Sequence, residues 1–248
     1  MTLGGHQMRK LLSQMRQAIN DYNLIENGDK IAVGLSGGKD SLTLLHLLNE
    51  YKKFSPEDFE LIAITLNPGK VDNSPLHKLC KDLNIEFHEI QTDIQEIVFD
   101  IRKEKNPCSL CAKLRRGILH STAKELGCNK VALGHHKDDA IETLMLSLCY
   151  EGRINCFSPK TLMDKDTITL IRPMVYIAEA SIKNVAKKYN FPIITNPCPA
   201  DKKTKREDIK NLIHELDGRM PGFKKNLFGA LTNSKELFIW DKEEIKKQ

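Results

Sequence analysis

Hydrophobic and polar positions alternate along this chain in two rhythms. Between Gln7 and Tyr22, the apolar residues Met8, Leu11, Leu12, Met15, Ile19 and Tyr22 recur at helical spacing, with Arg9, Lys10, Arg16 and Gln17 on the other face. This predicts an amphipathic N-terminal helix. From Lys30 onward, short apolar runs alternate with longer amphipathic stretches, and the runs Ile31 to Leu35, Leu61 to Leu66, Ile85 to Ile90, Val131 to Gly134 and Phe191 to Thr195 predict strands. Strands separated by helices form βαβ units, so the expected fold class is α/β, a Rossmann-like, mostly parallel sheet with helices on both faces. Ligands of such a sheet collect at the carboxyl ends of its strands. There is no internal repeat or long linker. The expected organisation is an N-terminal helical segment over 1–28, one α/β domain over 29–196 and a C-terminal helical tail over 197–248. The tail opens on the mainly basic stretch Asp201, Lys202, Lys203, Thr204, Lys205, Arg206, and a helix is predicted from Glu207 to Leu216.

Composition narrows the class of protein. With 248 residues, 40% of them hydrophobic and 29% charged, the chain can bury a core without staples, and collagen-like, low-complexity and disordered classes are excluded. No apolar run approaches the roughly 18 to 20 residues of a membrane span, and polar residues stand where a signal peptide has its apolar core. The expectation is a soluble, cytoplasmic protein without a membrane partner. Seven cysteines, an odd number, favour ligation or catalysis over a disulfide framework. Lys and Arg total 38 against 33 Asp and Glu, a formal charge of +5 that permits a nucleic acid partner without requiring one.

The strongest local signal is Ser36-Gly37-Gly38-Lys39-Asp40-Ser41, directly after a predicted strand and before a helix carrying Leu42, Leu44, Leu45, Leu48 and Tyr51. Two glycines let the backbone turn sharply and bring N–H groups against phosphate oxygens, while the helix N-terminus adds a favourable dipole. Lys39 supplies a point charge, the serines supply hydroxyls, and Asp40 can hold a magnesium ion on the phosphates. A lone double glycine would read as an ordinary capped turn. Six matching residues in this context read as a phosphate-binding loop. It is not a Walker A loop, because Gly34 to Gly38 is one residue short and Asp40 follows Lys39; the Rossmann glycine pattern is also absent.

Pro107-Cys108-Ser109-Leu110-Cys111 places a C-x-x-C pair at the start of a predicted helix. By itself the pair is half of a zinc site, a redox pair or part of an iron-sulfur site. Cys198, in Asn196-Pro197-Cys198-Pro199, follows the run Phe191 to Thr195 and would sit at a strand's carboxyl end. Cys80, Cys128 and Cys149 lie in apolar patterns that suggest packing, and Cys156 is isolated. On the helix after the C-x-x-C pair, Lys113, Arg116 and His120 share one face, either a solvated surface or an RNA contact. Arg115 falls on the apolar side beside Cys111, suited to a phosphate or substrate contact.

Gly134-His135-His136-Lys137-Asp138-Asp139 follows another predicted strand and opens a helix whose core face is Ile141, Leu144, Met145 and Leu148. One aspartate is expected to cap that helix. Gly134 and His135, at a strand end, are candidate ATP contacts; Glu142 shares a helix face with Asp139. Adjacent histidines lack the spacing of a helical zinc pair.

The loop Ser36 to Ser41 resembles the PP-loop of ATP pyrophosphatases of the adenine nucleotide alpha hydrolase-like type. PCSLCAKLRRGIL over Pro107 to Leu119, GHHKDDAIET over Gly134 to Thr143 and IRPMV over Ile171 to Val175 resemble the tRNA 2-thiocytidine synthetase group of that superfamily. The resemblance implies an ATP-dependent tRNA sulfurtransferase. It would adenylate the C2 carbonyl oxygen of a cytidine at position thirty-two of the anticodon loop, release pyrophosphate, and replace AMP by sulfur. It implies ATP, magnesium and a 4Fe-4S cluster on Cys108, Cys111 and Cys198. Asp139 would handle the base or its proton, with Asp138 assisting. The implied partners are tRNA, contacted by Lys113, Arg116, Lys202, Lys203, Lys205 and Arg206, and a sulfur donor, either a cysteine desulfurase system or free sulfide. A homodimer is left open. The residues alone also accommodate a PP-loop enzyme making an amide or another thiolated base with zinc or a persulfide, and a nucleotide- or RNA-binding module without turnover.

Overall fold

The computed structural model describes residues 5–69, 71–102, 107–163, 168–194 and 205–233. The amphipathic start forms helix α1 (His6–Tyr22). Strand β1 (Asp29–Gly34), helix α2 (Lys39–Lys52), strand β2 (Phe59–Asn67), helix α3 (Ser74–Asp82) and strand β3 (Glu86–Gln91) follow. After a π-helical turn at Glu96–Ile101 come helix α4 (Pro107–Glu125), strand β4 (Lys130–Ala132) and helix α5 (Lys137–Leu146). A second π-helical turn spans Ser147–Glu151. The chain continues through strands β5 (Lys160–Leu162) and β6 (Thr169–Ile171) and helices α6 (Glu179–Lys188), α7 (Lys205–Arg219) and α8 (Phe223–Thr232).

The six strands form one sheet in the order β3-β2-β1-β4-β6-β5, parallel except for β5, which pairs antiparallel with β6 at the edge. This is the α/β sheet expected. Its apolar runs serve two faces because successive side chains point opposite ways. Ile31 and Val33 of β1 pack with α1, α2 and α6 residues such as Met8, Leu45 and Ile182. Ala32 between them joins Ile62, Ile64, Leu119 and Val131 under α4. The chain winds from β1 outward to β2 and β3, then returns to β4 on the other side of β1. The loops after β1 and β4 therefore diverge at a topological switch point, where ligands of such sheets bind.

Two expectations differ from the structure. Phe191–Ile194 of the fifth predicted run is not a strand, and Thr195 lies outside the described residues. Phe191 stacks on His46 at 4.4 Å, and the Ile194 N–H donates to the Gly37 carbonyl at 2.9 Å. The run is apolar because it covers α2 and the phosphate loop, and burial outside a sheet leaves the same mark as burial within one. The strands that do extend the sheet, β5 and β6, have three residues each, too few to show a period.

The contacts also draw boundaries different from 1–28, 29–196 and 197–248. One compact unit comprises Met1–Asp139 with Phe157–Lys203, so α1 belongs to the main core through Met8, Leu11, Met15 and Ile19. The other comprises Ala140–Cys156 with Thr204–Gln248. Within that second unit Ile141, Ile209 and Ile213 form a small core. Arg206 pairs there with the buried Glu142 at 3.2 Å and also reaches Thr143, while the Lys205 ammonium lies 4.5 Å from the Tyr150 ring centroid. Among the described residues no helix is long and apolar enough to cross a membrane.

Candidate functional site

The phosphate loop joins β1 to α2. Gly37 has φ +76, in the left-handed region that favours glycine, and a Cβ there would lie 3.0 Å from the Ile194 Cβ. The two serines close the turn. The Ser41 hydroxyl accepts the Ser36 N–H (3.2 Å) and Ser36 hydroxyl (3.1 Å) and donates to the Gly38 carbonyl (3.0 Å). No side chain caps α2 at Gly38, so the first amides of the helix keep the donor character that attracts anions. A Gly37→Ala variant is expected to lose about 1–2 kcal/mol of stability from the left-handed backbone alone. It should lose ATP binding too, because the loop must move off Ile194; thermal melts with and without ATP would measure both.

Charge is concentrated at the start of α2. The Lys39 ammonium lies 2.9 Å from Asp40 Oδ2 and 3.2 Å from Glu179 Oε1 of α6. Partial burial pulls the lysine pKa down, but the two carboxylates outweigh it and hold the pKa above its ordinary value, so Lys39 stays cationic. Asp40 Oδ1 is buried without a hydrogen-bond partner and lies 3.7 Å from His136 Nε2. An oxygen left in that state is suited to a cation such as magnesium.

The loop after β4 approaches closely. A Cβ on Gly134 would stand 3.0–3.1 Å from the backbone of Asp40 and Ser41, so only glycine fits without displacing the phosphate loop. Neither aspartate of the following motif caps α5 alone. His136 precedes the helix, its Nδ1 accepting the Asp139 N–H at 3.3 Å while Asp139 Oδ2 accepts the His136 N–H at 2.9 Å. This is a reciprocal pair of the capping-box type, with histidine in the place of serine or threonine. The pair orients the ring so that Nε2 faces Asp40. Asp138 Oδ2 instead accepts the N–H of Glu179 at 2.8 Å, tying α5 to α6. His135 packs against the Phe157 ring with centroids 5.0 Å apart, and the buried Arg172 guanidinium also lies 5.0 Å from that ring's centroid.

A cavity runs from Ser36 past Thr65 to the first turns of α4, where Cys111 and Arg115 line it, with Phe99 and Ile194 as apolar walls. Cys111 and Arg115 thus face the phosphate loop, one helical turn apart. Cys108 is exposed. Lys113 and Arg116 are exposed as expected, but His120 is buried, because α4 rolls that edge against the sheet beside Leu119 and Ala123. Cys80 and Cys128 are buried, and burial pushes their thiols up to about 12 and about 11. Cys149, expected in packing, is exposed on the second π-helical turn. The Cys156 thiol donates to the Ala140 carbonyl at 3.4 Å. Cys198, Lys202 and Lys203 lie outside the described residues, among which no three His, Cys, Asp or Glu side chains are grouped to hold a metal.

Glu179 and Arg172 were not singled out in the sequence. Glu179 follows no motif, and its place beside Lys39 is set by the return of the chain from β6. Arg172 stands in the IRPMV segment, but its role became visible only with its bonds to the Ser158 carbonyl (2.5 Å) and Thr161 hydroxyl (3.2 Å).

Known proteins place this geometry. Residues 7–216 match the PP-loop domain family. The tRNA-cytidine(32) 2-sulfurtransferase of Syntrophotalea carbinolica is 40% identical over 240 residues, spanning 94% of this chain and 92% of that protein. The protein of the same name in Burkholderia multivorans is 41% identical, over 91% of this chain and 69% of its own. Among solved structures, the U34-tRNA thiolase NcsA from Methanococcus maripaludis with its 4Fe-4S cluster superposes with a TM-score of 0.77 at 27% identity, covering 94% of this chain and 80% of that one. With the phosphate loop, the C-x-x-C helix and the GHHKDD turn gathered at one switch point, the chain belongs to the tRNA-cytidine(32) 2-sulfurtransferase family of PP-loop enzymes.

Proposed function

We propose that this protein thiolates C2 of a cytidine in the anticodon loop of tRNA, activating the base with ATP. The observation that carries the reading is the shared cavity: the phosphate loop at Ser36 and the C-x-x-C helix at Cys111 and Arg115 open onto the same space. A nucleotide activated at one end is then within reach of sulfur chemistry at the other. Ser36 to Ser41 would bind the ATP phosphates, with Gly134 and His135 beside the nucleotide and Asp40 holding magnesium through its unpartnered oxygen. The C2 carbonyl oxygen of the base attacks the α-phosphorus and pyrophosphate leaves with its magnesium. Sulfide-level sulfur, as hydrosulfide, then adds to C2, gives up its proton, and AMP departs with the original oxygen. An amide-like oxygen is a poor leaving group, whereas AMP is a good one, so the nucleotide is consumed to make the exchange possible.

We read Cys108, Cys111 and Cys198 as the ligands of an iron-sulfur cluster. Cys108 and Cys111 are soft donors within the first two turns of α4, one exposed and one on the cavity. Cys198 follows Ile194, another cavity residue, by four residues, a reach of at most about 14 Å. A 4Fe-4S cluster on these three thiolates would supply an iron open to hydrosulfide from outside, either free sulfide or desulfurase persulfide sulfur reduced by two electrons from a thiol. Arg115, one turn from Cys111, would steady the negative charge that develops on the phosphate and the attacked base. Asp139 would manage the proton of the base, held in place by its bond to the His136 amide, while Asp138 assists by fixing α6. The base must leave its stack to enter the cavity. Lys113, Arg116, Lys202, Lys203, Lys205 and Arg206 would contact tRNA phosphates; Arg206 and Lys205 also serve their own unit through Glu142 and Tyr150.

The test is an anaerobic assay of the purified protein with unmodified tRNA, ATP, magnesium and sulfide. Release of AMP and pyrophosphate together with 2-thiocytidine in the digested tRNA is expected. AMP release with a different thiolated nucleoside would overturn the choice of base, and no tRNA-dependent AMP would overturn the activation step.

A further inference from the structure

Lys39 is shared between two anions of different origin. Asp40 is its neighbour in the loop, whereas Glu179 is delivered by the first residue of α6. The glutamate is mounted rigidly. Its N–H is held by Asp138 Oδ2 at 2.8 Å, its Oε2 by the Lys183 ammonium at 3.0 Å, and its side chain is only 13% exposed. A second clasp lies beside it, the Lys137 N–H donating to the Ile177 carbonyl at 2.9 Å. A second carboxylate fixed at the phosphate loop lowers the affinity of that loop for any polyanion, because it repels phosphate and competes for the same ammonium.

We infer that Glu179 is a positioning residue that competes with phosphate for Lys39 and so favours pyrophosphate release. A polyphosphate reaching the loop takes the ammonium from Glu179, and the ammonium returns to its mounted partner as the product leaves. The bond between Asp138 and the Glu179 amide sets this partner in place, so the turn that carries Asp139 also governs how tightly the phosphates are held. The inference rests on the phosphate-loop reading proposed above.

Its test is calorimetric titration of the full protein with inorganic pyrophosphate in magnesium, alongside steady-state kinetics. Glu179→Gln keeps the size of the side chain and removes its charge. The variant is expected to bind pyrophosphate roughly three- to fivefold more tightly, the upper end of one partly screened charge interaction. KM for ATP and kcat should fall together, since product release slows. Glu179→Asp, which keeps the charge, should stay within about twofold of the parent. A merely structural role would loosen the loop and weaken binding, so unchanged or weaker binding by Glu179→Gln overturns the inference, as does equal tightening by Glu179→Asp. Lys39→Ala separates the two readings. If it binds pyrophosphate as the parent does, the phosphate-loop reading fails; if it loses binding while Glu179→Gln does not tighten, only the role of Glu179 fails.

Discussion

An Asp139→Asn variant is expected to fold as the parent does and to lose thiolation by roughly two to four orders of magnitude, the usual span for removing an acid-base group. On the proposed function its carboxylate would have two separable tasks. Oδ2 accepts the His136 N–H at 2.9 Å and completes the cap of α5, which an asparagine oxygen can also do. Managing the proton of an activated base needs an ionisable group, which asparagine lacks. Asp139→Ala removes both tasks, so it should show the same loss of thiolation plus about 1 kcal/mol of destabilisation from the missing cap. Denaturant melts of the two variants, set against nucleoside mass analysis of their product tRNA, check the separation. Thiolation retained by a stable Asp139→Asn protein would show that Asp139 only builds the helix.

The second large effect concerns which cysteines the proposed cluster would use. Cys108→Ser, Cys111→Ser and Cys198→Ser should each reduce iron content and thiolation to background. Cys80→Ala and Cys128→Ala should keep both and lose about 1 kcal/mol of packing. The physical division lies in solvation. Cys80 and Cys128 are buried in apolar surroundings that push their thiols up to about 12 and about 11, which disfavours the thiolate a metal needs and keeps solvent-borne ions away. Cys108 is exposed and Cys111 opens on the cavity, where a metal can reach them. Iron and acid-labile sulfide assays on anaerobically purified variants read the result directly. Iron surviving in Cys198→Ser would exclude the third ligand, and iron lost from Cys128→Ala alone would overturn the whole set.

Local chemistry was legible along the chain. The alternation that makes α1, the apolar runs of β1 and β2, and the glycines and serines between β1 and α2 are properties of neighbouring residues, because helix period, strand alternation and turn conformation are set within a few positions. The sequence by itself therefore determined the α/β class, the phosphate loop and the C-x-x-C helix. What it could not determine was anything depending on residues far apart in the chain. Phe191–Ile194 is as apolar as a strand, yet whether it pairs or covers is decided by the partner it meets, here His46 and Gly37. His120 has the polarity of a surface group and is buried because α4 docks on that edge. Only the tertiary structure brought Glu179 to Lys39, gave Asp138 to α6 and set Gly134 against the backbone of Asp40, since each pairing follows from strand order. The reversal of winding between β1 and β4 puts distant segments at one point, and no local pattern of residues encodes that meeting.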